Sequence, residues 1–378
     1  MNRKENIWVI VIVAILCTPL VLDVVKLKKP HPLNGEKTEL PKPNLSFNSL
    51  YYSHYTDSLN DYLKTNFTLR GMAIRTMNQI DYSLFNETHA RSVLVGKEGY
   101  LFEENYIKAA LGLDDLKSTQ VDSIVVSLES LSVESSIPFF IALAPGKASY
   151  FSEFIPDSYV ELSDTLLNNS SYRLWSNKVS NSPELHLVDL YNHFIDREEV
   201  FPKNGIHWCE WSQIEAFNLI ADSIASVFND SISPAKFVID KEYRSTKMEG
   251  TDEDIERGLN LWQNIPDLER TYYNVSWDEK VEEEKPRILL VGDSYAWGIV
   301  NRGVLRHGFK ESEFWYYNQV VHGPKYLDTE LFGEKPNTVH NISSREDLIN
   351  TLREFDAVIL LSTDANLFRF PFSFGRVE

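Results

Sequence analysis

From residue 93 onward, short runs of large apolar residues alternate with stretches whose apolar positions recur every three or four residues. That alternation is the pattern of a parallel sheet covered by helices. Val93 to Phe102 (VLVGKEGYLF) predicts a hairpin that turns at Gly96 to Gly99. Pro138 to Leu143, Leu185 to Leu190, Arg287 to Val291, Glu313 to Asn318 and Asp356 to Ser362 predict buried strands, because unbroken apolar runs of this length suit strands covered on both faces. Between them, Gln213 to Phe228 sets Ile214, Phe217, Ala221, Ile224 and Phe228 on one helical face. Ser212 with Glu215 reads as the capping box of that helix, and Ser343 with Glu346 repeats the signature before the last strand. The expected class is α/β, a parallel sheet with helices on both faces.

The first part of the chain is patterned differently. Ile7 to Leu22 (IWVIVIVAILCTPLVL) carries no charge and is flanked by Arg3 and Lys4 and by Lys26, Lys28 and Lys29. It is shorter than the roughly 20 residues that span a bilayer, so it is read as a signal anchor extended to Val25, with a cleaved signal peptide as the alternative. No A-x-A site follows it, and Leu16 before Cys17 does not suit a lipobox. Residues 1–25 are thus the expected anchor, the proline-rich residues 26–44 a linker, and residues 45–90 a helical extension packed on the main domain. In that extension Leu69, Met72, Ala73, Met77, Ile80 and Leu84 fall at helical spacings. Residues 91–378 form the main domain, interrupted by a polar, acidic stretch, 230–286, which reads as a solvated insertion. Trp262, Tyr272 and Tyr273 within it are the candidates for a carbohydrate groove.

Charge removes one class of partner. A net charge of −18, spread along the chain, opposes binding to a phosphate backbone, so nucleic acid is not expected. The two cysteines, Cys17 and Cys209, make no disulfide framework, and the nine histidines form no H-x-x-x-H or H-E-x-x-H motif. Neither a metal nor a phosphate-binding cofactor is expected.

The chemistry lies in two loops. ILLVGDSYAWG, Ile288 to Gly298, ends a buried strand in Gly292, Asp293 and Ser294, so the serine stands where a strand passes into a helix. Ligands of open α/β sheets bind at that edge, and a serine there is placed to act as a nucleophile while its own NH helps to hold an oxyanion. The plainer reading is that Asp293 and Ser294 cap the next helix. FPKNGIHWCEWS, Phe201 to Ser212, places His207 in a loop between a strand and a helix, beside Trp208 and Trp211. A serine hydroxyl needs an adjacent base, and His207 offers one, although a histidine that packs tryptophans is the alternative. Asn318, at the end of its strand, is a candidate oxyanion donor or a turn residue. Lys147, in a Pro-Gly-Lys loop, is a candidate for a sugar carboxylate or is solvated. Tyr295 is a candidate for stacking on a sugar or for the core, and Trp208 and Asp293 are candidates for contact with substrate.

The hairpin VGKEGYLF, the segment APGKASYFSEFIP (Ala144 to Pro156), the histidine-tryptophan loop and the later strand ending in GDS together resemble the alginate O-acetyltransferase family of SGNH hydrolase-like proteins. The resemblance covers most of Phe47 to Asp364. It implies an SGNH hydrolase-like, flavodoxin-like fold, with Ser294 as nucleophile and His207 as base. It further implies a domain outside the cytoplasm, in the periplasm or its equivalent, held by a single pass through the inner membrane. Acetyl groups would be moved onto a polysaccharide, supplied by a separate membrane-bound O-acyltransferase. The family writes D-x-H-W, whereas this chain has Gly205 at the place of the aspartate. Asp189, at the end of its strand, is the candidate replacement; a Ser-His dyad or an inactive site are the alternatives. An esterase that removes acyl groups, and a silent carbohydrate-binding or scaffold subunit, are the competing functions.

Overall fold

A computed structural model describes residues 7–13, 33–35, 40–44, 46, 54–66, 69–114, 116–161, 171–323 and 342–375. The chain divides into two units, one of residues 1–91 with 256–265 and one of residues 92–255 with 266–378.

Among the described residues the larger unit holds ten strands: β1 (Val93–Val95), β2 (Leu101–Glu103), β3 (Phe139–Ala144), β4 (Leu185–Asp189), β5 (Phe237–Ser245), β6 (Arg270–Trp277), β7 (Ile288–Gly292), β8 (Glu313–Tyr316), β9 (Val320–His322) and β10 (Ala357–Thr363). Six of them form one sheet in the order β4-β3-β10-β7-β8-β9, parallel except for β9. From β3 the chain steps outward to β4, from β7 it steps the other way to β8, and β10 returns to fill the gap between β3 and β7. The carboxyl ends of β3, β4, β7, β8 and β10 therefore lie along one edge, where loops from several strands can meet.

Both faces of this sheet are buried, which is why its central strands are apolar without alternation. On one face Phe139, Ile141, Leu143, Leu289, Val291, Val358 and Leu360 pack with Val121, Val125, Leu128 and Leu131 of helix Ser118–Ser135 and with Trp175 and Val179 of helix Ser171–Ser180. Their alternates Phe140, Ala142, Leu290, Ile359 and Leu361 are equally buried on the other. The expected hairpin is present as the β1–β2 pair, with a single 3₁₀ turn at Lys97–Gly99. The run expected as one strand from Glu313 to Asn318 instead breaks at Tyr316, turns through Tyr317 and Asn318 in left-handed conformations, and returns as β9.

Both expected caps differ. The long helix spans Glu210–Val227 and starts after Cys209, so Ser212 lies inside it, where its hydroxyl donates to the Val200 carbonyl at 3.2 Å. Glu215 instead meets His193 at 3.1 Å. Before helix Arg345–Leu352 the cap is Ser344, which accepts from the Asp347 NH at 3.1 Å. The acidic stretch 230–286 is more than a solvated insertion: β5 and β6 form an antiparallel ribbon, and Asp252, Arg270 and Tyr272 are buried.

The smaller unit contains helices His54–Asn66 and Arg70–Phe85. Segment 256–265 is tied to the second of these by Arg75 to the Leu261 carbonyl (2.8 Å), Asn78 to the Leu259 carbonyl (2.7 Å) and the Trp262 indole to Thr76 (3.0 Å). Trp262, a candidate for a sugar groove, is thus committed to a helix. Met77, Ile80 and Leu84 sit on that helix as expected, but they are exposed. Of the expected anchor, residues 7–13 are helical and exposed, and residues 14–25 lie outside the described residues. Among the described residues no helix is long and apolar enough to cross a membrane.

Candidate functional site

Strand β7 delivers the serine. It ends at Gly292, where an added Cβ would stand 3.0 Å from that of Ala296 and 3.2 Å from the Leu361 carbonyl, so the chain can turn closely against β10. Asp293 follows and is fully buried. Its carboxylate accepts from the Thr363 NH (2.9 Å), the Thr363 hydroxyl (3.1 Å), the Asn366 amide (2.8 Å) and the Tyr295 NH (3.0 Å). Burial raises its pKa, and the donors work against that rise. Asp293 therefore fixes the serine turn to β10, and the expected contact with substrate gives way to this role.

Tyr295 joins the two loops. Its ring is fully buried, and its hydroxyl donates to the carbonyl of Ile206, the residue before His207, at 2.9 Å. The serine turn and the histidine loop are thus bonded one residue away from each reactive side chain. The Tyr295 ring also lies 5.3 Å from that of His207 and 5.1 Å from that of Trp208. Since Trp208 is fully buried too, neither aromatic is a platform for a sugar; together they wedge the two loops in place.

Ser294 is the partly exposed residue between buried Asp293 and Tyr295, as His207 is between buried Ile206 and Trp208. The buried flanks hold both residues in place. The Tyr317 phenol lies against Ser294; burial and the charge of Asp293 raise its pKa, while Arg369, 4.3 Å over the ring, and the contact with Ser294 lower it. Asn318 donates from its side-chain amide to the Phe372 carbonyl at 3.3 Å and has φ +54°, so it serves as a turn residue.

His207 has two differently placed nitrogens. Nδ1 is hydrogen-bonded with Oδ2 of Asp254, whose Oδ1 accepts from the Ile206 NH at 2.9 Å. Nε2 is shielded from solvent and has no hydrogen-bond partner among the described residues. Burial pulls the imidazole pKa down, but Asp254, Asp293 and Glu103 outweigh it and leave the pKa above the ordinary 6.5. Asp189 plays no part in this contact. Its carboxylate takes the Tyr172 hydroxyl (2.8 Å), the Asn192 NH (3.0 Å) and the Asn192 amide (2.7 Å), capping helix Leu190–Phe194. The expectation that Asp189 meets His207 is corrected: the carboxylate on Nδ1 is that of Asp254.

Lys147 also differs from expectation. It is fully buried, and its ammonium donates to the carbonyls of Lys203 (2.6 Å) and Gly205 (2.7 Å). Burial pushes its pKa well below the usual lysine value, and the charges of Asp254 and Asp267 oppose the shift. A lysine that ties down the histidine loop is not available to a sugar carboxylate. Leaving both carbonyls unpaired would cost roughly 1–3 kcal/mol each. Among the described residues, no three His, Cys, Asp or Glu side chains converge as metal ligands.

The chain is thus an α/β protein with a central, mostly parallel sheet; a serine turn follows β7, and the histidine loop, bonded to that turn through Tyr295, carries a carboxylate on its histidine. Neither a protein-family model nor a curated protein matches its sequence. Among solved structures it is similar to the O-acetyltransferase domain of Pseudomonas putida AlgJ, at 16% identity over 73% of this chain and 92% of that one, with a TM-score of 0.44. It is also similar to Bacillus cereus PatB1 with a sulfonyl adduct (13% identity, 74% and 97% covered, TM-score 0.46) and to Pseudomonas aeruginosa AlgX (15% identity, 81% and 70% covered, TM-score 0.44).

Proposed function

We propose that this protein is an O-acetyltransferase that moves an acetyl group through a seryl ester at Ser294 onto a hydroxyl of an extracytoplasmic polysaccharide. The observation that carries the serine chemistry is His207: Nδ1 is held by a carboxylate, Nε2 is left to accept a proton, and Tyr295 bonds the histidine loop to the serine turn. The acetyl group and the polysaccharide acceptor rest on the sequence resemblance described above. So do the placement outside the cytoplasm, the anchor in residues 1–25 and the supply of acetyl by a membrane-bound O-acyltransferase.

The steps balance without a cofactor. Nε2 of His207 takes the proton of the Ser294 hydroxyl as Oγ bonds the acyl carbon of a donor ester. The carbon–oxygen bond to the leaving alcohol breaks, and that oxygen receives the proton from Nε2. A sugar hydroxyl then attacks the seryl ester, gives its proton to Nε2, and Ser294 leaves with that proton. The Ser294 NH, which faces the Tyr317 phenol oxygen, is the backbone donor assigned to the oxyanion once substrate takes the place of that phenol.

Because Ser294 is partly exposed, water can take the place of the sugar, and the second reading is an acyl esterase of glycans. A silent scaffold was favoured by the glycine at position 205; the carboxylate on Nδ1 of His207 removes that support. Full-length protein incubated with an activated acetyl ester and oligosaccharides is expected to yield acetylated oligosaccharide by mass spectrometry. Acetate alone would support the esterase, and no turnover of the ester would overturn both readings. The rate is expected to rise with pH through a midpoint above 6.5, because only neutral imidazole accepts the serine proton and the folded protein raises that pKa. A midpoint below 6.5 would contradict the assignment of His207 as base.

A further inference from the structure

We infer that Asp254 is the residue that orients His207, and that it reaches this place from the acidic stretch between β5 and β6 because Gly205 leaves a path for that stretch across the histidine loop. The inference rests on the acyl-transfer reading above. Its basis is a contact that depends on the glycine. A Cβ at position 205 would lie 2.4 Å from the Thr251 carbonyl oxygen and 2.9 Å from the carbonyl carbon and oxygen of Asp252. All of these are backbone atoms, which cannot swing aside as a long side chain can. A side chain at 205 and the observed course of residues 251–254 therefore exclude each other.

The path is anchored on both sides. Asp252 is 2% exposed; it accepts from the Tyr272 hydroxyl at 2.9 Å and faces the Arg270 guanidinium at 3.3 Å, both on β6. The Tyr272 hydroxyl also accepts from the Glu249 NH at 3.0 Å. On the other side, the Gly205 carbonyl is held by Lys147 at 2.7 Å. Two residues beyond Asp252, Asp254 spends one oxygen on the Ile206 NH and the other on Nδ1 of His207. One carboxylate thus fixes both the backbone and the ring of the histidine loop.

The chemistry needs such a group. A carboxylate on Nδ1 keeps the proton there, so Nε2 keeps its lone pair to accept another, and the carboxylate stabilises the imidazolium formed when that proton moves. Asp254 touches no reacting atom, which makes it a positioning residue. Asparagine at 254 can still accept from the Ile206 NH. Its NH₂ toward Nδ1, however, favours the tautomer with the proton on Nε2, which cannot take one from Ser294.

The test compares Asp254→Asn, Asp254→Glu, Asp189→Asn and Ser294→Ala in the full chain, by ester turnover across pH and by the downfield imidazole NH resonance in proton NMR. For Asp254→Asn, kcat is expected to fall about 10²- to 10⁴-fold with the acid limb moved to lower pH and the downfield resonance lost. Asp254→Glu, which keeps the charge, is expected to retain more activity and an acid limb near that of the wild type; it carries the comparison if the asparagine variant does not fold. Unchanged rate and acid limb in Asp254→Asn, with Ser294→Ala inactive, would overturn the inference while leaving the acyl-transfer reading intact. A loss confined to Asp189→Asn would overturn it as well. Wild-type activity in Ser294→Ala would instead sink the acyl-transfer reading itself.

Discussion

Ester turnover is expected to fall by about 10⁴-fold or more in Ser294→Ala, with no loss of fold. The size follows from the chemistry: without the hydroxyl no seryl ester forms, and any remaining rate comes from water attacking a bound ester directly. The fold should persist because Asp293 and Tyr295, on either side, make the bonds that hold the turn. Asp293 takes four hydrogen bonds from β10, Asn366 and Tyr295, and Tyr295 ties the turn to Ile206. An unchanged thermal unfolding curve beside an abolished rate would separate chemistry from structure. A rate within a few-fold of the wild type would mean that Ser294 is only a helix-cap residue.

The second large effect runs against intuition. Gly205→Asp would write the D-x-H-W motif into this chain, yet it is expected to lower activity at least 10²-fold and to cost roughly 3 kcal/mol or more of stability. The new Cβ meets the Thr251 carbonyl at 2.4 Å, so either the 251–254 segment or the histidine loop must shift. A shift of the segment withdraws Asp254 from His207. A shift of the loop strains the Lys147 bonds to Lys203 and Gly205 and the Tyr295 bond to Ile206. The added carboxylate would also enter a place already crowded by the backbone of Asp252. Denaturant unfolding and ester turnover measure the two costs; a variant as stable and active as the wild type would show that the path over Gly205 is not needed.

How much of this was legible in the sequence follows from which contacts are local. The unbroken apolar runs at 139–144, 288–292 and 357–363 announce strands buried on both faces, because each strand's own residues carry that signal. The serine and histidine loops were readable for the same reason: each follows a strand, and parallel strands place their carboxyl ends on one edge. Residues whose role depends on distant partners were misread. Lys147 looks solvated until Lys203 and Gly205 turn their carbonyls toward it. Trp208 looks like a substrate contact, and Tyr295 reads equally as a sugar platform or as core, until they are seen packed on each other. Asp254 was hidden among many acidic residues, in a stretch whose composition reads as solvent-facing. The one local hint was Gly205 itself, since a glycine beside a reactive histidine can mark a close approach of another backbone. Ser212 shows the same limit at smaller scale: the capping pattern is local, but the hydroxyl is spent on the distant Val200 carbonyl, inside a helix that starts after Cys209.

Covalent capture at the serine tests the central claim most directly. After treatment with a sulfonyl fluoride, intact mass and peptide mapping should show one adduct, on Ser294, formed rapidly by the wild type and only slowly by His207→Gln. A folded sample that takes no adduct, or takes it on another residue at the same rate in both proteins, would contradict an activated serine at this sheet edge.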